Sequence, residues 1–273
     1  MAVDGIGLKL ALAGLGAVGM AVARRVDAGE IPGITLVAAA RGQEKARKAI
    51  EGFKSAPRLL SLAELADAAD VIVECLPPQH FAAVAGPAIE RGRIFMPLSV
   101  GALIDHMSLV DRARETGARI VVPTGALLGL DAVRAAAEGK IASVKIITRK
   151  PPAGLAGAPL LVEKGISVEG LEAPLCVFEG SAREAIAGFP ANVNVAVALS
   201  LAGIGPDETR AEIWADPAVT RNTHTIVVKS DSSDLTMTIE NIPSEENPRT
   251  GKITALSVLA ALRRLTAPLV VGS

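Results

Sequence analysis

The chain has 273 residues, and 28 Lys+Arg against 29 Asp+Glu leave a formal charge of -1, so no domain-wide positive field exists to hold a nucleic-acid backbone or an anionic membrane. Half the residues are apolar and 21% are charged, which supplies a large core for one large domain or two modest ones and excludes general disorder. With 2% aromatic residues and no Tyr, the stacking surfaces that bind single-stranded nucleic acid or sugars are scarce.

In chain order, Met1 to Gly7 carries Asp4, and the apolar stretch behind it is broken by Gly14, Gly16 and Gly19. This is not the charged-then-apolar layout of a secretion signal, so residence in the cytoplasm is expected. Up to about Pro123, short Val/Ile/Ala/Leu runs alternate with helical segments, the pattern of a parallel sheet covered on both faces. Strands are expected at Leu8–Ala13, Ile34–Ala40, Val71–Cys75, Ile94–Leu98 and Arg119–Val122. Between them, Ser61 and Glu64 have the spacing of a capping box that opens a helix toward Ala68, and Asp105–Thr116 is expected to be a helix ended by Gly117.

After Gly125 the texture changes. Leu130–Glu138 is helical in pattern, and strand-like runs follow at Ser143–Thr148, Leu175–Phe178, Arg210–Trp214, Thr223–Val228 and Leu235–Ile239. A helix begins at the capping box Ser181/Glu184, and Val193–Ala202 suits a helix packed on all sides. The uncharged run Ala185–Pro206 is long enough to cross a bilayer, but Pro190, Asn192 and Asn194 are costly in hydrocarbon, so a buried segment is expected there. In the last helix, Lys252–Leu265, the apolar face is assigned to Ile253, Leu256, Leu259 and Ala260. The expected fold is α/β: an N-terminal doubly wound parallel sheet of the Rossmann type over residues 1–125, and a second α+β domain over 126–239. The C-terminal stretch 240–273 is expected to return to the first domain.

The segment Gly14-Leu15-Gly16-Ala17-Val18-Gly19 follows the first strand directly and opens a helix, which is the context in which a glycine fingerprint signals a dinucleotide. Gly14 permits the tight turn, Gly16 lets a pyrophosphate approach the backbone, Gly19 lets helix and strand pack closely, and the amides from Ala17 and Val18 onward face the phosphates. The second strand ends in Ala38-Ala39-Ala40-Arg41, without the acid that grips the ribose hydroxyls of NAD. Arg41 fits a 2′-phosphate, so both NAD and NADP are expected; stacking on the adenine or a place in solvent is the alternative. Pro77 and Pro78 end the central strand, either stiffening backbone beside the nicotinamide or simply terminating the strand. Cys75 has no basic neighbour and is expected to be a small buried residue, and it is too far from Cys176 in sequence for the pair to indicate a disulfide framework or a zinc site. No metal is expected.

Of the three histidines, His80 and His106 sit at helix beginnings and suit surface or capping roles. His224, in Asn222-Thr223-His224-Thr225-Ile226-Val227-Val228, shares a strand face with Asn222, Ile226 and Val228, so its imidazole is shielded and Asn222 can orient it. An ordinary pKa near 6.5 suits proton transfer around neutrality. The strand pattern alone fits a structural histidine and a catalytic one equally.

A wider set of segments resembles the L-aspartate dehydrogenase family: the glycine fingerprint, Pro123-Thr124-Gly125-Ala126, Thr148-Arg149-Lys150-Pro151-Pro152, Phe189-Pro190-Ala191-Asn192-Val193-Asn194-Val195-Ala196, Ala215-Asp216-Pro217 with Arg221-Asn222-Thr223-His224, and Pro243-Ser244-Glu245-Glu246-Asn247-Pro248. They occur in order over nearly the whole chain. The resemblance implies a Rossmann domain with an α/β catalytic and dimerisation domain, a homodimer, and NAD(P)-dependent oxidative deamination of L-aspartate to oxaloacetate and ammonia through iminoaspartate. It makes His224 the catalytic residue and puts Ala126, Asn192 and Asn194 at cofactor-contact positions, with Asn194 the favoured contact and Asn192 a helix cap or second contact. The family's histidine is commonly followed by an acid where Thr225 stands, which alternation sends to the opposite face. Arg149, Lys150 and Arg221 are the candidates to hold the two substrate carboxylates. Coarse architecture alone also fits a dihydrodipicolinate-reductase-like or homoserine-dehydrogenase-like enzyme, or a non-catalytic dinucleotide sensor with a protein partner.

Overall fold

A computed structural model describes residues 7–40, 43–190, 193–246 and 250–272. The chain forms two compact units, one from the residues up to Gly125 with Thr254–Val270, the other from Ala126–Ile253 with the residues from Val271 on.

In the first unit the strands are β1 (Leu8–Ala13), β2 (Ile34–Ala40), β3 (Arg58–Leu59), β4 (Val71–Glu74), β5 (Ile94–Pro97) and β6 (Arg119–Ile120). They pair in parallel in the order β3-β2-β1-β4-β5-β6. The apolar runs do not alternate because both faces are covered: Leu10, Ala11, Leu12 and Ala13 are all fully buried. The order reverses between β1 and β4, where a doubly wound sheet opens its ligand crevice at the carboxyl ends of the strands.

The last helix, Lys252–Thr266, packs Val258, Leu259 and Leu262 into the core formed by Leu10, Leu12, Val22, Val26 and Leu36. Its end is pinned to this unit by Arg263 donating to the Glu30 carbonyl and Thr266 donating to the Pro32 carbonyl, each at 2.8 Å. The face read from the sequence is corrected here, since Ile253, Leu256 and Ala260 are exposed and only Leu259 of that set is buried.

Two other local readings differ. The Ser61 amide and hydroxyl both donate to the Glu64 carboxylate, but the helix starts only at Leu65 and Glu64, its cap, makes no side-chain capping bond. The stretch around Asp105 divides into helical Val100–Leu103, a 3-10 turn at Ile104–His106 and a helix at Ser108–Thr116. Gly117 ends that helix with φ 75°, a left-handed conformation that glycine adopts without steric cost.

In the second unit β7 (Ile141–Lys150), β8 (Leu175–Ser181), β9 (Arg210–Ala215), β10 (Thr223–Ser230) and β11 (Asp234–Glu240) form a sheet of order β11-β10-β7-β9-β8. Only β7 and β9 run parallel; the other pairs are antiparallel. Alternation is clear: Val144, Ile146, Thr148, Lys150, His224, Ile226 and Val228 are buried, while their neighbours in sequence face the other way and are less buried. The capping box is complete at Ser181/Glu184, where the Glu184 amide donates to Ser181 Oγ and the Ser181 amide to the Glu184 carboxylate. Helix Asn194–Ala202 buries Ala196 through Ser200 without a break, as its small apolar residues require. Among the described residues no helix is long and apolar enough to cross a membrane.

Candidate active site

The glycine loop is shaped by contacts that only glycine allows. Gly14 has φ 108°, and a Cβ there would lie 2.8 Å from the Cys75 carbonyl oxygen; one on Gly19 would lie 2.1 Å from the Gly14 carbonyl oxygen. Gly16 is exposed, and a Cβ on it would meet nothing within 4 Å, which leaves its backbone open to a ligand. Helix Ala17–Asp27 starts here on Gly16, which has no side chain to cap its first amides, the condition in which a helix start is open to a ligand. A pyrophosphate fits such a site through N–H donors and the helix dipole. Arg41 and Asn192 lie outside the described residues.

At the carboxyl end of β4, Pro77 is exposed and extended at φ -59° and ψ 146°, followed by a 3-10 turn at Pro78–His80. Burial and the neighbouring Glu74 charge push the Cys75 thiol far up, leaving it a poor nucleophile. His80 is exposed, and His106 bonds through Nδ1 to the Ala102 carbonyl while its ring packs on Phe81. Sequence reasoning missed Glu74, which is fully buried and accepts hydrogen bonds from the Leu76 amide and the Ser99 amide.

In the second unit His224 is 3% exposed, and its partner is Thr148, whose Oγ1 lies 3.0 Å from Nδ1. The two residues face each other in the antiparallel β7–β10 pair. The ring's hydrogen-bond partner is thus Thr148 and not Asn222, which was expected to orient it; the Asn222 backbone carbonyl accepts the Asn241 amide just ahead of β10. Lys150 lies two residues beyond Thr148 on the same face, buried, and desolvation lowers its pKa to about 8. Burial, with the Lys150 charge as a smaller contribution, lowers the pKa of His224 to about 3. The ordinary value assumed from the sequence is therefore corrected: this imidazole is neutral across the usual pH range. For Nε2 to accept a proton, Nδ1–H must donate to Thr148 Oγ1, so the threonine can fix the reactive tautomer.

A family profile described as aspartate dehydrogenase, C-terminal, matches residues 131–265, and one described as homoserine dehydrogenase, NAD binding domain, matches residues 14–123. A protein of Bradyrhizobium diazoefficiens named L-aspartate dehydrogenase is 54% identical over 267 residues, covering 97% of this chain and 94% of that one. The chain belongs to the L-aspartate dehydrogenase family. A Bordetella bronchiseptica protein named L-aspartate dehydrogenase 3 is 53% identical, covering 97% of this chain and 98% of its own. The crystal structure of aspartate dehydrogenase from Thermotoga maritima shares the fold, with TM-score 0.76 at 24% identity over 97% of this chain and 99% of that one. The homoserine dehydrogenase profile stops at the nucleotide-binding half, so it gives no support to a homoserine substrate.

Set against this family's chemistry, the three cations read from the sequence separate. Lys150 shares the buried face with His224. Arg149, by alternation, lies on the opposite face, where it pairs with Asp216 at 2.9 Å and stacks 4.8 Å over the Trp214 ring. Arg221 forms an exposed ion pair with Glu240 at 2.9 Å. Of the three, Lys150 is therefore the one that shares a face with His224, whereas the strand points Arg149 away from it. Thr225 also faces away from the ring and bonds Thr238, as alternation required. Ala126 is held by the Asn241 side-chain amide donating to its carbonyl at 3.1 Å, and Asn194 is the first residue of its helix. Among the described residues no group of three or more His, Cys, Asp or Glu is placed to hold a metal ion.

Proposed function

We propose that the chain oxidises L-aspartate with NAD to iminoaspartate, which water converts to oxaloacetate and ammonia, and that it also runs the reverse reductive amination. The supporting observation is the buried pairing of His224 with Thr148, with Lys150 on the same sheet face, in a chain of this family. NAD, when bound, would supply the hydride acceptor; Gly14, Gly16, Ala17, Val18 and Gly19 would hold its phosphates, and Pro77, Ala126, Asn192 and Asn194 are the further residues we assign to it.

His224 Nε2 accepts a proton, either from the substrate ammonium or from the attacking water, while Thr148 holds the ring. Lys150 binds a substrate carboxylate as a point charge. That binding has a second effect. A dicarboxylate brought next to Lys150 offsets the positive charge that depresses His224, so the imidazole becomes more basic when substrate is in place.

The proposal extends to NADP as an alternative cofactor through Arg41, to a homodimer formed through the second unit, to a place in the cytoplasm, and to delivery of iminoaspartate for NAD biosynthesis. The experiment is a substrate panel with each cofactor, following reduced nicotinamide by absorbance. Turnover of L-aspartate supports the reading; turnover only of homoserine or a diaminopimelate precursor, or tight cofactor binding without any turnover, overturns it. Light scattering tests the dimer, and a monomer mass refutes it.

A further inference from the structure

Glu74 has no part in the proton chemistry, yet it is a fully buried carboxylate at the carboxyl end of β4. It lies at the reversal of strand order, opposite Ala13 of β1. Burial raises its pKa above the ordinary carboxylate range, so the fold keeps an ionisable group where an apolar one would be less costly.

Its bonds account for that. Oε1 accepts the Leu76 amide at 2.7 Å, and Oε2 accepts the Ser99 amide at 3.0 Å. The Ser99 hydroxyl sits 2.8 Å from the Leu76 carbonyl oxygen and 3.1 Å from Glu74 Oε1, joining the same two segments again. One side chain thus ties the connection leaving β4 to the connection leaving β5. In a sheet of this order each half takes one mononucleotide. The glycine loop after β1 and the end of β2 form the half that takes the adenosine end, which leaves the connections after β4 and β5 to the nicotinamide end.

We propose that Glu74 is a positioning residue for the nicotinamide half of the dinucleotide, its carboxylate holding the Leu76 and Ser99 backbones in the arrangement that receives the nicotinamide riboside. This rests on the reading that the Gly14–Gly19 loop binds NAD. Glu74→Gln keeps the shape, but its NH2 group turns a donor toward a backbone N–H, so one of the two tied connections is released.

The test compares dissociation constants of NADH and ADP-ribose, which lacks the nicotinamide, by calorimetry on the wild-type protein, Glu74→Gln and Ser99→Ala. Loss of one charge-assisted bond predicts that Glu74→Gln weakens NADH about tenfold and ADP-ribose less than about twofold. Ser99→Ala, which leaves both amide bonds to the carboxylate in place, shifts the same ratio about threefold and carries the test if Glu74→Gln does not fold. Equal weakening of both ligands, or of neither, overturns the inference. A wild-type protein that binds neither ligand removes the nucleotide reading itself, and is recognised separately because no variant is needed to see it.

Discussion

In the first unit the candidate ligand surface is main chain: Gly16 lies open, the helix from Ala17 has no side-chain cap, and the loop takes its shape from the absent Cβ atoms of Gly14 and Gly19. In the second unit it is side chain: His224, Thr148 and Lys150 are buried on one sheet face, and two of them have strongly lowered pKa values. The glycine loop itself uses no ionisable group and costs the fold little. The side-chain site keeps a lysine and a histidine out of water, which penalises their charged forms and leaves the pair responsive to an incoming anion.

The largest effect separating the two regions belongs to His224. Replacing it with Ala should lower kcat by about 10²–10⁴-fold while NADH affinity stays within about twofold. Full turnover in this variant would make the histidine structural.

Lys150→Met should raise the KM for L-aspartate by about a hundredfold, through loss of a buried charge-assisted contact. It should also make the protein more stable. The folded pKa of about 8 lies below the ordinary 10.5, so burying the ammonium costs about 3 kcal/mol below pH 8, and the cost fades as pH rises from 8 toward 10.5. Denaturant unfolding of the variant should therefore show a gain at neutral pH that shrinks above pH 8. Arg221→Ala is the contrast, since its ion pair is exposed and its KM should change less than about twofold. A large KM effect at Arg221 with none at Lys150 would reverse the assignment.

Asn194→Ala should weaken NAD(H) binding by about 1–2 kcal/mol with little change in the KM for aspartate. Unchanged cofactor affinity would return Asn194 to a purely structural place at its helix start.

The sequence disclosed the first region more fully than the second, because the glycine fingerprint is contiguous and its strand and helix are its neighbours in the chain. Strand burial in the second sheet was readable from alternation, which also placed Thr225 on the face away from His224. The partner of His224 was not, because Thr148 is 76 residues away and meets it only through the β7–β10 register, whereas Asn222 was close in sequence. The same alternation, applied to β7, could have separated Lys150 from Arg149. Glu74 was hidden for another reason: within an apolar strand a lone acid has no pattern, and its partner Ser99 belongs to the connection after a different strand. The last helix was found with the wrong face, since several of its apolar residues remain exposed and periodicity does not say which stripe meets a core.

The central claim is that His224 is a shielded base kept neutral mainly by burial, and that the Lys150 charge beside it lowers its basicity further. NMR titration of the His224 ring measures this directly, first in the free protein and then with saturating succinate as a non-reacting dicarboxylate. The account predicts no protonation of the free protein's ring above about pH 5, well below the ordinary 6.5, and an upward shift when the dicarboxylate binds. An ordinary titration near 6.5 in the free protein, unmoved by succinate, would contradict it.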